Sequence, residues 1–470
     1  MKCDSPDNEA APESDGDPFE RVARPRRAAP ADAVRPTRAE INLANLRHNL
    51  FTLERALDLP RRRTSEPRVP SSKAEGLGTG TGIGTAKEAG RPSYEALPSA
   101  GGASASPAAH ATQVWGVLKA DGYGHGAPAV ARTLERAGIG GLCVALLEEA
   151  IELREAGIRV PILVMGGYYG PRRQGLEEVP VHDIVPVIYD RGHIEKLVQV
   201  ARATGRGPLA AHLKIDTGMG RLGADADSLD DVVNALREHR AEIDVRGLMT
   251  HFACADGEDL GTTRAQLRAF EEATAKVRAG GLAPSLRHAA NSAAAVRVAA
   301  SRFEVVRPGL ALFGYKPWSG PREAIADAAL AELRPVMKVR TEIVAVRTVP
   351  DGGRVGYGHQ FVARGARRVA TVAMGYADGL PRSLSNRGEV LVRGRRAPLA
   401  GVVSMDLTAI DVTDVIGAEV GDEVVFLGPQ EGPHGSDAIS AEEIAAQTGT
   451  IAWEVLTSIS RRVPRFYREP

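Results

Sequence analysis

Short apolar runs alternate with helical stretches between about residues 113 and 313, and this alternation leaves few folds open. The runs are VWGVLK, GLCVALL, VPILVMGG, IVPVIYD, LAAHLKID, VRGLMTHFA, SLRHAA and FEVVRPG. Strands that are separated by helices pair in parallel, because each helix carries the chain back along the sheet. About eight such units predict a closed (β/α)8 barrel of the TIM type.

The pattern changes after about residue 325. The segments VMKVRTEIVAVRTVP, RRVATVAMGY, GEVLVRGRRAPLAG and GDEVVFLG are Val-rich, alternate in polarity and are separated by turn residues. Such segments are typical of antiparallel strands. We therefore assign residues 37–325 to the barrel domain and residues 326–470 to a mainly antiparallel β domain, which closes with a helix in SAEEIAAQTGTIAWEVL.

Two segments lack large apolar residues. Residues 1–36 are rich in Ala, Pro and charged residues, and we expect a disordered tail because such a segment cannot bury enough surface. Residues 61–112, approximately, are rich in Gly, Ser, Pro and Ala and predict a mobile insertion in the barrel domain. Within the insertion, GLGTGTGIG mimics a dinucleotide fingerprint, but no apolar strand precedes it and no amphipathic helix follows.

Composition excludes several classes of partner. Lys+Arg and Asp+Glu both number 59, so we expect neither a nucleic-acid partner nor a membrane surface. The cysteines, Cys3, Cys143 and Cys254, form neither a disulfide framework nor a metal-ligand cluster. The acidic N-terminus resembles no secretory signal, and no apolar run reaches the length of a membrane span. These features predict a cytoplasmic protein that needs no metal.

Polar side chains collect where the barrel strands end. They are Lys119, Lys214, Asp216, His251, Asn291, Ser292 and Arg307. The C-terminal ends of the strands form the face on which barrel enzymes carry their chemistry. Only nine of the 59 basic residues are lysines, so a lysine at a strand end is a notable choice.

Lys119 admits three interpretations, namely a structural lysine, an acid/base group, or a nucleophile that binds a carbonyl compound covalently. The segments HAANSAA and VRPGLALFG add small residues with free backbone N–H groups, the Ser292 hydroxyl and Arg307. Late barrel loops of this kind form phosphate sites. A phosphorylated, carbonyl-bearing cofactor beside a lysine is indicated, and pyridoxal 5'-phosphate fits that description.

Several motifs then occur in a fixed order: VLKADGYGHGA, KIDTGMGRLG, THFA, HAANSA, RPGLALFG, VGYG, GYADGLPR, SMD and RVPR. In this order the chain resembles the alanine racemases from about residue 35 to 465, apart from the insertion. The resemblance implies a barrel that binds pyridoxal phosphate, a C-terminal β domain, and a homodimer whose active sites take residues from both subunits.

The resemblance also implies the two catalytic residues. Lys119 would bind the cofactor covalently and act as the base on one face of the substrate α-carbon. Tyr357, in VGYG, would act on the opposite face and come from the partner subunit. Racemisation needs both groups, because a proton leaves one face of the carbon and returns to the other.

Further roles follow from the same resemblance. Arg307 would face the cofactor's ring nitrogen. Arg221 and the Met405 backbone would bind the substrate carboxylate. His251 would form a hydrogen bond with the catalytic tyrosine. Lys214 matches a position that is carbamylated in some relatives, and Tyr376 would narrow the entrance. The remaining cofactor-binding residues would be Tyr123, Asn291, Ser292, Gly309 and Leu310.

Two positions depart from the family pattern. Many relatives carry a tyrosine that touches the phosphate around Ser460 and Arg461, whereas this chain reads ISRRVPR there, so the phosphate is held by another donor or in a different way. Ser404 stands where several relatives carry cysteine. Arg461 is a candidate for a substitute phosphate contact. No role is assigned to His125.

The expected function is the interconversion of L-alanine and D-alanine, which supplies D-alanine for peptidoglycan synthesis. A racemase of broader range or for serine is the alternative within the fold. A decarboxylase of basic amino acids would lack the VGYG tyrosine, and a non-catalytic pyridoxal-phosphate carrier would lack the C-terminal β domain.

Overall fold

The computed structural model describes residues 34–59, 112–166, 175–318 and 320–468. The predicted tail and insertion lie outside these residues, apart from 34–36 and Thr112. The described chain begins with strand β1 (Arg38–Asn42) and helix α1 (Leu43–Ala56). The Asn42 side chain caps α1 by accepting a hydrogen bond from the Asn45 N–H at 3.0 Å.

The next eight strands form the barrel. They are β2 (Gln113–Val117), β3 (Gly141–Val144), β4 (Ile162–Val164), β5 (Val185–Ile188), β6 (Leu209–Lys214), β7 (Ile243–Met249), β8 (Leu286–His288) and β9 (Val305–Val306). Their order is β8-β7-β6-β5-β4-β3-β2-β9, and every neighbouring pair is parallel. The two ends of this order, β8 and β9, do not pair along their strands. The segments that follow them are joined by a hydrogen bond from the Arg307 N–H to the Ala290 carbonyl at 2.9 Å. The predicted (β/α)8 barrel is confirmed, in nearly closed form.

Helices fill the connections between these strands. They are α2 (Lys119–Tyr123), which is a single left-handed turn, and α3 (Ala127–Arg136), α4 (Leu147–Glu155), α5 (Glu178–His182), α6 (Arg191–Thr204), α7 (Leu229–Glu238), α8 (Gly261–Ala279) and α9 (Ser292–Arg297). Strands β3, β4 and β5 are buried at every position. Burial on both faces explains their continuous apolar sequences, since the barrel interior covers one face and the helices cover the other.

After α10 (Ala324–Ala329) the chain forms the β domain. Its strands are β10 (Met337–Val349), β11 (Arg354–Val355), β12 (Phe361–Val362), β13 (Arg367–Val372), β14 (Glu389–Val392), β15 (Arg395–Pro398), β16 (Thr408–Asp411), β17 (Glu423–Gly432), β18 (Gly435–Ile439) and β19 (Arg465–Arg468). Apart from β19, these strands pair antiparallel. The predicted β domain is confirmed.

Two details differ from the sequence-based expectation. Strand β1, which we grouped with the barrel, lies in the large sheet of the β domain, antiparallel to β10 and parallel to β19. The expected closing helix is two helices, α11 (Ala441–Thr448) and α12 (Ala452–Ser458). Gly449 separates them with φ of 74°, a left-handed conformation that ends a helix at little cost for glycine.

Candidate active site

Lys119 opens an unusual turn directly after β2. Ala120, Asp121, Gly122 and Tyr123 all have φ between 53° and 61°, so the chain makes one left-handed helical turn. Three of these four residues have side chains, and the left-handed conformation costs an L-residue about 1–2 kcal/mol. The contacts of the surrounding residues must offset that strain.

Two side chains within the motif hold the turn. The Asp121 carboxylate accepts a hydrogen bond from the Ala127 N–H at 2.8 Å, which ties the turn to the start of α3. His125 is fully buried, and its Nδ1–H donates to the carbonyls of Gly122 and Tyr123 at 3.0 and 2.8 Å. Its ring stacks on Phe313 with the centroids 4.4 Å apart. His125, which received no role from the sequence, thus supports the Lys119 turn.

A second group of small and hydroxyl residues lies beside the turn. The Gly309 N–H donates to Ser292 Oγ at 2.9 Å, and Asn291 caps α9 by accepting from the backbone N–H groups of the helix. A Cβ atom at Gly309 would lie 2.4 Å from Tyr123 Oη, so only glycine fits there. Burial raises the pKa of the Tyr123 hydroxyl, which keeps it a neutral donor.

Arg307 is buried in the barrel, where it heads a chain of hydrogen bonds. Its Nη1 donates to His288 Nδ1 at 2.8 Å, and its Nη2 donates to the Thr250 carbonyl at 2.8 Å. Because His288 Nδ1 accepts, its Nε2–H donates to His212 Nδ1 at 2.8 Å. Burial lowers the pKa of Arg307 to about 10, so the guanidinium remains charged at neutral pH.

The β6 end brings cations close together. Lys214 is buried, and burial with the neighbouring Arg221 and Arg307 lowers its pKa to about 8. Burial and Arg221 also lower the pKa of Lys119. Asp216 accepts hydrogen bonds from the N–H groups of the following glycine-rich turn, which orients the loop that carries Arg221.

A cavity of about 250 Å³ collects most of the expected site residues. Eight of the thirteen line it: Lys119, Tyr123, His251, Asn291, Ser292, Arg307, Gly309 and Leu310. Burial and the cations Arg307 and Arg221 lower the pKa of His251 to about 3, so its imidazole is neutral. The cavity thus joins an amine, a buried guanidinium and a cluster of backbone and hydroxyl donors.

Five expected residues do not line this cavity, namely Lys214 at the end of β6, Arg221 in the following loop, and three residues of the β domain. Tyr357, Tyr376 and Met405 are 74%, 42% and 51% exposed and lie in the β domain. Tyr357 begins a short 3-10 helix (Tyr357–His359) between β11 and β12. An exposed tyrosine at the tip of a hairpin can reach a site on another molecule.

The loops that carry Tyr376 and Met405 are tied together. The Tyr376 N–H donates to the Ser404 carbonyl at 3.0 Å, and the Ala377 N–H donates to the Met405 carbonyl at 3.1 Å. Asp378 is fully buried and accepts from Arg35 at 2.8 Å and from Arg462 at 3.0 Å. Tyr376 and Met405 are therefore presented by one rigid unit.

Sequence reasoning missed several lining residues, among them Met165, Met219, Phe252, Asp256 and Trp453. Trp453 lies on α12, so the β domain contributes a wall to the barrel's cavity. From the sequence, an aromatic residue on a short helix is expected to lie in the hydrophobic core. Its position in the cavity wall depends on how the two domains pack together.

Arg461 lies elsewhere than expected for a phosphate contact. It lines a neighbouring cavity of about 610 Å³, together with Asp121, Glu149 and Thr457. That cavity contains neither Ser292 nor Gly309. The expectation that Arg461 grips the phosphate gains no support from this placement.

Comparison with known proteins agrees with the geometry. Residues 103–317 match the family model "Alanine racemase, N-terminal domain", and residues 336–467 match "Alanine racemase, C-terminal domain". An alanine racemase of Sorangium cellulosum (strain So ce56) is 57% identical over 437 residues, which cover 93% of this chain and 100% of the relative. The chain belongs to the alanine racemase family.

Other members of the alanine racemase family give the same result. Alanine racemase 2 of Caldanaerobacter subterraneus subsp. tengcongensis is 40% identical and covers 76% of this chain and 88% of its own. The crystal structure of alanine racemase from D-cycloserine producing Streptomyces lavendulae superposes with a TM-score of 0.74 at 32% identity, covering 93% of this chain and 98% of that one. The family resemblance in the motifs is confirmed.

None of the helices in the described ranges of this family member is long and apolar enough to cross a membrane.

The buried histidines make the stability of this racemase family member dependent on pH. His125, His212 and His288 are fully buried, and burial lowers their pKa values, to about 3 for the first two. The unfolded chain binds protons on these rings below about pH 6.5, whereas the folded chain does not. The free energy of unfolding should therefore fall from about pH 6.5 towards pH 3, by about 1.4 kcal/mol per pH unit for each histidine.

Urea unfolding between pH 7.5 and pH 5 measures this slope. His125→Gln should reduce the proton uptake on unfolding by one. An unfolding free energy with the same pH slope in wild type and His125→Gln would contradict the assignment.

Proposed function

We propose that this chain is an alanine racemase that interconverts L-alanine and D-alanine with Lys119 and Tyr357 as its two acid/base groups. The observation that carries the proposal is the placement of Lys119 at the end of β2, in one cavity with Arg307 and the Ser292–Gly309 pair. Membership of the alanine racemase family supports the same reaction.

The residues present fit pyridoxal phosphate as the cofactor. Gly309 leaves room that a Cβ atom would fill, beside the Tyr123 hydroxyl and Ser292 Oγ. We assign the phosphate to these groups, with Asn291 and Leu310 at the same end of the cavity. When bound, this cofactor makes the substrate α-proton acidic enough to be removed.

Lys119 would hold the cofactor covalently and then move a proton at the substrate α-carbon. Its lowered pKa supports this role, because a larger fraction of the side chain is neutral amine at neutral pH. Arg221, at the same end of the barrel, would bind the substrate carboxylate with the Met405 backbone.

Arg307 would face the cofactor's ring nitrogen. A guanidinium has only donors, and its hydrogen bonds to His288 and Thr250 fix its position. It would keep the ring nitrogen unprotonated, which disfavours transamination. Arg307→Glu should therefore form more pyruvate from alanine per turnover than the wild type does, and Arg307→Lys should not; equal pyruvate yields would contradict this role.

We propose a homodimer in which each site is completed by Tyr357 of the partner subunit. Tyr357 is highly exposed and does not line the cavity of its own chain. The rigid unit that carries Tyr376 and Met405 would approach the partner's cavity from the same side, with Tyr376 narrowing the entrance. Because His251 Nδ1 accepts from Arg307 Nη2 at 3.4 Å, the Nε2–H of the neutral ring would donate a hydrogen bond to the oxygen of the incoming tyrosine.

Lys214 is a candidate for carbamylation. Its lowered pKa leaves a substantial fraction as neutral amine, whose nitrogen can attack the carbon of carbon dioxide and lose a proton to give a carbamate anion. The neighbouring Arg221 and Arg307 would stabilise that anion, and the carbamate would orient Arg221. Protein in ¹³C-bicarbonate should show a carbamate ¹³C signal that Lys214→Ala lacks and Lys276→Ala retains.

Lys214→Ala should also lower kcat/KM for alanine about tenfold, which is the effect of losing one charge-assisted hydrogen bond. A Lys214→Ala variant with an unchanged ¹³C spectrum would rule out the modification.

The proposal also covers the substrate range and the biological role. A racemase for serine or of broader range would use the same two groups, so purified protein should be assayed with both enantiomers of alanine and of serine. Turnover of neither alanine enantiomer by protein that binds pyridoxal phosphate would overturn the proposal. The presence of Tyr357 disfavours a decarboxylase, and the β domain disfavours a single-barrel carrier. We place the reaction in the cytoplasm, as a supply of D-alanine for peptidoglycan.

A further inference from the structure

The carboxylate of Glu149 links the ends of two neighbouring barrel strands. Glu149 lies in the first turn of α4, directly after β3. Its Oε2 accepts hydrogen bonds from the N–H groups of Ala145 and Leu146 at 2.8 and 3.0 Å, which caps the helix. Its Oε1 accepts from the Ala120 N–H at 2.6 Å, in the turn that follows β2.

The Ala120 N–H belongs to the peptide group that joins Lys119 to Ala120. A hydrogen bond to this group fixes the orientation of the peptide plane, and with it the backbone torsion that directs the Lys119 side chain. Ala120 has φ of 53°, a conformation that an L-residue rarely adopts without support. Asp121 and His125 support later parts of the turn, whereas Glu149 supports its first peptide.

We propose that Glu149 is a positioning residue for Lys119, which aims the amine into the cavity by holding the left-handed turn in place. The inference rests on the proposed function, since it gives Lys119 its purpose. The carboxylate also favours the charged form of Lys119, which burial and Arg221 oppose. Glu149 thus caps its own helix and also holds the turn that follows the neighbouring strand, β2.

Glu149→Asp separates the two duties of the side chain. The shorter side chain keeps an acidic group in the first turn of α4, but it cannot span to Ala120. Glu148→Gln is the matched control, because Glu148 is exposed, stands on the same turn and lines the same neighbouring cavity as Glu149. Thermal unfolding checks that both variants are folded.

The first readout is hydrogen exchange of the segment 118–124 in protein without cofactor. We expect Glu149→Asp to exchange this segment about tenfold faster than wild type and Glu148→Gln to match wild type. The second readout is the rate at which added pyridoxal phosphate becomes covalently bound to Lys119, followed by borohydride reduction and peptide mass. It should fall about tenfold in Glu149→Asp, as should kcat for alanine, with KM changed less.

Three results would overturn the role of Glu149. One is wild-type exchange of residues 118–124 in Glu149→Asp. Another is faster exchange with an unchanged rate of cofactor attachment and unchanged kcat. The third is a loss of the same size in Glu148→Gln. Wild-type protein in which pyridoxal phosphate never attaches to Lys119 would overturn the proposed function as well, and the borohydride experiment on the wild type identifies that case.

Discussion

Replacement of Lys119 by alanine is expected to reduce the racemisation of alanine by about 10⁴-fold or more. Under the proposed function, the substitution removes both the covalent attachment of the cofactor and the acid/base group on one face of the α-carbon, and acid/base catalysis alone contributes about 10²–10⁴-fold. Racemisation is measured by the appearance of D-alanine from L-alanine, and attachment of the cofactor by its visible absorption and by peptide mass.

Two controls make the result specific. Lys276→Ala removes an exposed lysine of α8 and should retain wild-type activity. Added methylamine should restore part of the activity of Lys119→Ala, because a small free amine can replace the missing group within the cavity it leaves. Covalent attachment of pyridoxal phosphate at another lysine, with normal turnover, would show that Lys119 has been misassigned.

Tyr357→Phe is expected to lower racemisation by about 10²–10⁴-fold while leaving cofactor binding intact. The groups that we assign to the cofactor, among them Ser292 and Gly309, line the cavity without Tyr357, so cofactor binding should not need the Tyr357 hydroxyl. Under the proposed function, Lys119 would still act on one face of the α-carbon. In D₂O the variant should therefore exchange the α-proton of one alanine enantiomer and not of the other. Tyr467→Phe, at another tyrosine on the surface, is the matched control.

A mixture of the two inactive variants tests whether sites are shared. In a dimer with exchanged tyrosines, one site of a Lys119→Ala/Tyr357→Phe heterodimer has an intact Lys119 and an intact Tyr357. Refolding the variants together at equal concentration should restore about a quarter of the wild-type activity, since half of the dimers are mixed and each has one complete site. No recovery above the separate variants would contradict the shared site.

The barrel could be predicted because its strands are buried on both faces. A fully buried strand such as β3 or β4 leaves a continuous apolar run, and the polar residue that ends the run marks the catalytic face. Lys119, His251 and Arg307 were found in this way, and the structure places all three in one cavity. An apolar run and the polar residue that ends it are neighbours in the chain, so this pattern can be recognised from the sequence alone.

Other features depend on contacts between distant segments. Glu149 reads as an ordinary acidic residue at the start of a helix, and its hydrogen bond to Ala120 depends on the pairing of β2 with β3. His125 reads as a loop histidine until Phe313 is packed against it. Neither role leaves a local pattern, since each requires knowledge of which strands and loops are neighbours.

Strand β1 has a consequence for how the polypeptide is made. It leaves the ribosome before any barrel strand, yet both of its neighbours, β10 and β19, are synthesised after the barrel. Arg38 pairs with Arg340 of β10, and Ala39 pairs with Arg465 of β19. The large sheet therefore closes only after the barrel and the strands of the β domain have been synthesised, and the nascent chain must keep an unpaired strand from associating wrongly until then. A gene cut at the apparent domain boundary would separate β1 from the sheet it completes.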